Sequence, residues 1–184
     1  QNSQRWDVYR YNNFSHNTLA FDHKKQNVNG YTRIDSYGDS AGFMHLVSDL
    51  SNAYKSQVKS CNRGIAVVDN RFVVVQDEIE TLDKPTELTW TMVTRAAVRK
   101  LNDCTLELTE KGKKMIFKVE SNQKIKLRSV PAKSSNSYDE SNDGVTLIGF
   151  ETSIPALAQA RYCVKLIPRN TKAKYKITPL KEWK

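Results

Sequence analysis

Apolar residues recur along this chain with a period of two. The runs "FMHLVSDL" (43–50), "GIAVV" (64–68), "RFVVVQDEI" (71–79), "ELTWTMVT" (87–94), "CTLELT" (104–109), "KKMIFKV" (113–119), "KIKLRSV" (124–130), "VTLIGFET" (145–152) and "RYCVKLI" (161–167) are rich in β-branched and aromatic residues. Successive side chains of a strand point to opposite faces, so these runs predict strands with at least one face on a core. "DN" at 69–70 and "EKGK" at 110–113 separate such runs and read as hairpin turns. Only "RAAVRKL" (95–101) reads as a helical turn. Many strands joined by short turns predict an all-β chain, an antiparallel sandwich or barrel. It should have about ten or more strands and under about a tenth of its residues in helix.

One stretch lacks any period. "AKSSNSYDESNDG" (132–144) is polar, and because strands of the same style follow it, it reads as a surface loop inside one domain spanning 1–184. A chain of 184 residues buries roughly two-thirds of its unfolded surface, enough for a sizeable core. No apolar run approaches the ~20 residues of a membrane-spanning helix. The chain opens on Gln1, without an initiator Met or a signal-peptide core, and is expected to be a processed or excised piece.

Charge changes this picture modestly. The net charge of +9 favours polyanionic partners, yet the basic residues are spread along the chain. Only the tail "TKAKYKITPLKEWK" clusters them, at a spacing that suits the solvent face of a strand. Cys61, Cys104 and Cys163 are too few for a disulfide scaffold; Cys104 and Cys163 sit in apolar surroundings and read as small core residues, with one bridge plus a free thiol left open. Trp6 and Trp90 read as core rather than as sugar-stacking platforms.

Motifs of nucleophilic, phosphate-binding or metalloprotease chemistry are missing. Of the three histidines, His45 lies inside an apolar run and reads as a hydrogen-bonded core or surface residue. His23 neighbours Asp22, but adjacent strand residues face opposite sides. His16, in "FSHNTLAFD" (14–22), directly precedes an apolar run, where residues at sheet ends supply function. Asn17 and Thr18 beside it are types whose side chains tie down turns, and so can orient it.

A resemblance adds to these readings. "RWDVYRYNNFSHNTLAFDHKKQ", "MHLVSDLSNAY", "NRGIAVVDNRFVVVQDEIE" and "PTELTWTMVTRA" follow one another over roughly residues 5 to 97. In that order they resemble the sandwich portion of heparinase II/III-type polysaccharide lyases. The resemblance implies a large antiparallel β-sandwich of the supersandwich, galactose-mutarotase-like kind, with little or no helix. It implies a parent protein with an N-terminal α/α toroid that cleaves uronic-acid glycans by β-elimination. There a toroid Tyr acts as the main base and acid, and a His from the start of the sandwich assists it.

The relatives open their sandwich with a His-x-His pair that this chain lacks, so the domain is expected to be truncated at its N-terminal edge. His16 then resembles one corner of a structural zinc site. The resemblance implies zinc in the full-length protein, with none held tightly by this chain alone, because three or four ligands are usual. Asp22, His23 and Asp35 are stand-in ligands by proximity only. Arg5, Arg10, Tyr11 and Arg33 are the candidates for contact with sulfate or carboxylate groups, since the Arg fork binds such anions bidentately. No catalytic residue is assigned to this chain, and by itself it is expected to be inactive.

The implied partners are an acidic polysaccharide of the heparin, heparan sulfate or alginate type and the parent's toroid, in a periplasmic or secreted bacterial setting. The rival is a non-catalytic carbohydrate-binding or scaffolding sandwich. A nucleic-acid-binding domain fits less well, because the Lys and Arg residues are not interleaved with aromatics on one strand face.

Overall fold

The computed structural model describes residues 3–183, with the side chains of Ser3 and Gln4 left aside. Twelve strands are present: β1 (Leu19–Phe21), β2 (Arg33–Ser40), β3 (Phe43–Asp49), β4 (Ser60–Val68), β5 (Phe72–Glu80), β6 (Thr86–Thr94), β7 (Ala97–Asn102), β8 (Thr105–Glu110), β9 (Lys113–Ser121), β10 (Lys126–Pro131), β11 (Thr146–Ile154) and β12 (Gln159–Pro168). Helix is limited to short 3-10 segments among the described residues. The strands form two antiparallel sheets, one in the order β1-β6-β11-β10 and one in the order β2-β3-β4-β5-β12-β9-β8-β7. The all-β sandwich expected from the period-two pattern is what forms.

The inter-sheet core follows from alternation. Leu88 and Trp90 of β6 and Ile148 and Phe150 of β11 face Phe117 of β9 and Tyr162 of β12, all buried. Trp90 stacks on Phe150 at 5.9 Å between ring centroids. Trp90 is therefore core, whereas Trp6 is only half-buried, under the Arg5 guanidinium at 5.3 Å. Gly149 of β11 is required where it crosses β6. Its φ is 149°, and a Cβ would sit 1.9 Å from the Trp90 carbonyl oxygen.

The larger sheet has a second covered face. The tail was expected to be strand-like; among its described residues, 171–183, it keeps an alternating exposure but pairs with no strand. Lys172, Lys174 and Lys176 point to solvent. Tyr175, Ile177, Leu180 and Trp183 pack on Ala66, Val68, Phe72, Val74 and Cys163. Instead of ladder bonds, this strap uses side chains: Gln76 Nε2 donates to the Thr178 carbonyl at 2.8 Å, and Glu78 Oε1 accepts from Leu180 N at 3.1 Å. Gly64 allows the close approach, since a Cβ there would meet Leu180 Cδ2 at 2.4 Å and the Trp183 ring at 2.6 Å.

Further departures from expectation have local causes. Residues 97–102 form β7, not a helical turn: Val98 packs on the inter-sheet core and the segment pairs with β8 along its length. Helix propensity is a weak prior beside five paired residues of ladder. β2 is absent from the expected strands because both its faces are largely exposed, which leaves no alternation to read. His45 is buried between Phe43 and Trp183, but neither ring nitrogen has a hydrogen-bond partner. Cys61 and Cys163 are buried, Cys104 is only half-buried, and all three are free thiols.

The smaller sheet does not reach across the larger one. The cross-strand row Val75, Ile65, Leu46, Tyr37 runs outward from β5 to β2 on the face toward the smaller sheet. Val75 packs on the core, Ile65 is 38% exposed and Tyr37 is 83% exposed. Beyond β4 that face is bare.

Candidate functional site

The segment before β1 crosses the outer face of the smaller sheet in short 3-10 turns held by side-chain amides. Asn12 Oδ1 caps the turn Asn13–Ser15 by accepting from Phe14 N at 3.1 Å. Buried Asn13 donates to the carbonyls of Leu19 (3.3 Å) and Lys24 (3.2 Å) and accepts from Gln26 N. Asn and Ser suit this role because short polar side chains replace backbone partners.

His16 follows at the rim, exposed, with Nε2 2.9 Å from the Arg10 carbonyl oxygen. A carbonyl only accepts, so Nε2 carries the proton of this bond, which leaves Nδ1 as the ring nitrogen free to face a ligand. Asn17 and Thr18 fix the loop. The Asn17 side chain accepts from Val93 N at 2.8 Å, and the Asn17 carbonyl accepts from Arg63 Nη1 at 3.2 Å. The Tyr54 hydroxyl donates to the Leu19 carbonyl at 3.0 Å and accepts from Gln26 Nε2 at 2.7 Å. Its one proton being used, the Thr18 hydroxyl donates to it, at 2.9 Å. Burial pushes the Tyr54 hydroxyl up to about 12, so it stays neutral.

Behind the loop lies a charged pair. Arg63 grips the fully buried Asp77 with Nε (2.7 Å) and Nη2 (3.0 Å), and Trp90 Nε1 donates to the same carboxylate at 2.8 Å. Burial opposes the Arg63 charge, but the Asp77 carboxylate outweighs it and holds the guanidinium ionised.

His16 lines a cleft of about 450 Å³ together with Arg10, Arg95, Thr94 and Asn142. Arg10 makes only a loose 3.8 Å contact with exposed Glu140 and donates to the Ser141 carbonyl at 3.2 Å. Arg95 is exposed and has no ion pair among the described residues. Two arginines, a histidine and an asparagine thus line one concave surface. Such a set binds carboxylate or sulfate groups and sugar hydroxyls.

The other sequence candidates lie elsewhere. Arg5 stacks over Trp6 and, at 5.4 Å, over Tyr11. Arg33 starts β2 and lines a different cleft, of about 620 Å³, with Tyr31, Asp35 and Lys55. Asp22 is taken up by Lys84 Nζ at 2.9 Å and Glu87 N at 3.0 Å, and His23 lines a third cleft, with Tyr9 and Arg128. Among the described residues no three His, Cys, Asp or Glu side chains converge. Beside His16 the cleft is lined by Arg10, Arg95, Thr94 and Asn142, none of them an ordinary zinc ligand. Arg95 and Asn142 escaped the sequence reading. Arg95 follows directly on the strand run at 87–94, and that position at a strand end was the available signal.

No protein-family model and no curated protein match this chain. Solved structures do. A heparinase III structure superposes with a TM-score of 0.66 at 15% identity, over 85% of this chain and 24% of that one. A second, the heparinase III BT4657 gene product, gives 0.62 at 18% identity, over 83% and 23%. The heparan sulfate lyase HepC from Pedobacter heparinus gives 0.67 at 12% identity, over 86% and 25%. The fold is that of a heparinase III sandwich. This chain spans about a quarter of the length of those proteins. Among its described residues no helix is long and apolar enough to cross a membrane.

Proposed function

We propose that this sandwich is part of a heparinase-III-like polysaccharide lyase and that its His16 rim holds an acidic glycan of the heparin, heparan sulfate or alginate type. The cleft that gathers Arg10, His16 and Arg95 carries the reading. The guanidinium forks neutralise a uronate carboxylate or sulfate, and His16 Nδ1 accepts from a sugar hydroxyl. In β-elimination the base must meet the proton α to a neutralised carboxylate within one cleft. This chain supplies anion contacts toward that cleft, and the base belongs to an accompanying toroid domain of the same parent. The setting is periplasmic or secreted, where intact polysaccharide is met.

The test is binding and turnover measured side by side. Calorimetry with heparin oligosaccharides should show salt-dependent binding that Arg95→Ala and Arg10→Ala each weaken about ten- to a hundredfold, the range of one charge-assisted hydrogen bond. Ultraviolet absorbance of unsaturated product should stay flat for this chain alone with heparin, heparan sulfate and alginate. Binding that ignores both variants would sink the proposal. The exposed Tyr11 beside Arg5 favours a second reading, a non-catalytic carbohydrate-binding sandwich. Binding lost in Tyr11→Ala and untouched in Arg95→Ala would select it.

A further inference from the structure

Arg63 is spent twice. Its Nε and Nη2 are committed to Asp77, which leaves Nη1 as the outward branch of the fork, and that branch donates to the Asn17 carbonyl. The guanidinium also lies over the Trp90 ring at 5.6 Å. A charged group locked on two sides by a buried carboxylate and an indole has one direction left in which to hold anything. That direction is the backbone between His16 and Thr18. We propose that Arg63 is a positioning residue for the His16 rim. It fixes the Asn17 carbonyl from behind while Val93 N fixes the Asn17 side chain, so that the His16 ring stays on the Arg10 carbonyl with Nδ1 turned to the cleft. The glycan half of the test rests on the function proposed above; the geometric half does not.

The choice of residue is specific to arginine. A lysine ammonium is a point charge on a flexible stem, so it can face Asp77 or reach toward Asn17 but does not present a planar fork to both. Three variants of the whole chain separate positioning from stability. Arg63→Lys keeps the buried charge balanced. Arg63→Met with Asp77→Asn removes both charges together, leaving none uncompensated. Arg99→Met, at an exposed pair with Glu107, is the control.

The first readout is the ring-nitrogen spectrum of His16 in ¹⁵N-labelled protein, recorded well below the unfolding temperature and at alkaline pH, where an imidazole is neutral. The wild type should show a protonated Nε2 and a bare Nδ1. In Arg63→Lys and in the double variant the two nitrogen shifts should move toward each other as the ring averages over orientations. The second readout is affinity for a heparin hexasaccharide, expected to fall about fivefold, one hydrogen bond's worth, with an unchanged salt slope. A lowered melting temperature with an unchanged His16 spectrum would overturn the proposal. A changed spectrum in a protein whose wild type ignores heparin would keep the positioning role and remove the glycan.

Should both variants fail to fold, the wild type still answers. The Arg63 Nη1 proton should exchange with solvent more slowly than those of Arg161 and shift on adding hexasaccharide or on replacing His16 by Ala. An Arg63 signal indifferent to both would overturn the assignment.

Discussion

The larger sheet is packed on both faces, and the two packings differ in kind. Between the sheets, buried polar groups are paired: Asp77 with Arg63 and Trp90, Tyr54 with Leu19, Thr18 and Gln26. Tyr162 Oη lies toward Thr152 there without reaching a good hydrogen bond. Under the strap, both His45 nitrogens and Gln76 Oε1 lack partners, and the Tyr175 hydroxyl lies toward the Trp183 indole without reaching a good hydrogen bond. The first layer is held by strand ladders and satisfied charges. The second is held by apolar contact, a few side-chain anchors and one ion pair, buried Lys165 with Glu120, over the Tyr175 ring. An unsatisfied buried polar group costs about 1–3 kcal/mol, so the strap should open well before the sheets do.

Four measurements press on that difference, beginning with the largest effect. Asp77→Ala leaves the half-buried Arg63 charged and without its carboxylate, and should cost about 2–4 kcal/mol in urea unfolding. A loss under about 1 kcal/mol would mean that the pair is solvated in solution. Gly64→Ala forces a methyl into Leu180 and Trp183 and should cost about 1–3 kcal/mol. The loss of amide protection should be confined to residues 171–183; loss spreading into β6 or β11 would merge the two layers into one.

His45→Phe removes two unpartnered polar atoms while keeping a ring between Phe43 and Trp183. It should raise stability by about 1 kcal/mol. A decrease would show that His45 has a partner in solution. The smallest effect is acidic. Asp139 accepts from Ser134 Oγ, Tyr9 N and Asn136 Nδ2, and these bonds hold its carboxyl below the ordinary 3.8. A depressed carboxylate stabilises above its unfolded value and loses that contribution as pH falls through the folded one. Contact between the 132–144 loop and the first 3-10 turns should therefore persist at neutral pH and loosen below about pH 4. Amide shifts at Tyr9 report it, and Asp139→Asn should abolish the step.

What the sequence made legible follows the same division. Strands with one face on the inter-sheet core announce themselves through alternation, as Leu88, Trp90 and Met92 do in β6. β2 has little buried on either face, so its pattern of Arg33, Ile34, Asp35, Ser36 and Tyr37 carries no period. The strap shows the period without the pairing, because Gly64 and Ala66, the small outer positions that receive it, lie more than a hundred residues earlier. At the rim, His16 and Arg10 were readable as residues preceding a strand. Arg95 and Arg63 were not. Their importance depends on which carbonyl or cleft they face after folding, and local spacing does not encode that.

The bare stretch of sheet around Tyr37, Met44 and Ile65 gives the net charge of +9 a second meaning. β2 is an edge strand of eight residues without proline or lysine, the kind of surface on which sheets stack or lengthen into one another. Mutual repulsion between like-charged copies of this chain should then keep them dispersed, over a range of about 10 Å at 0.1 M salt and about 3 Å at 1 M. Light scattering should accordingly stay flat in dilute buffer and climb as salt is added, the reverse of what an aggregate held by opposite charges would do. A Tyr37→Lys protein should stay dispersed at both ends of the titration.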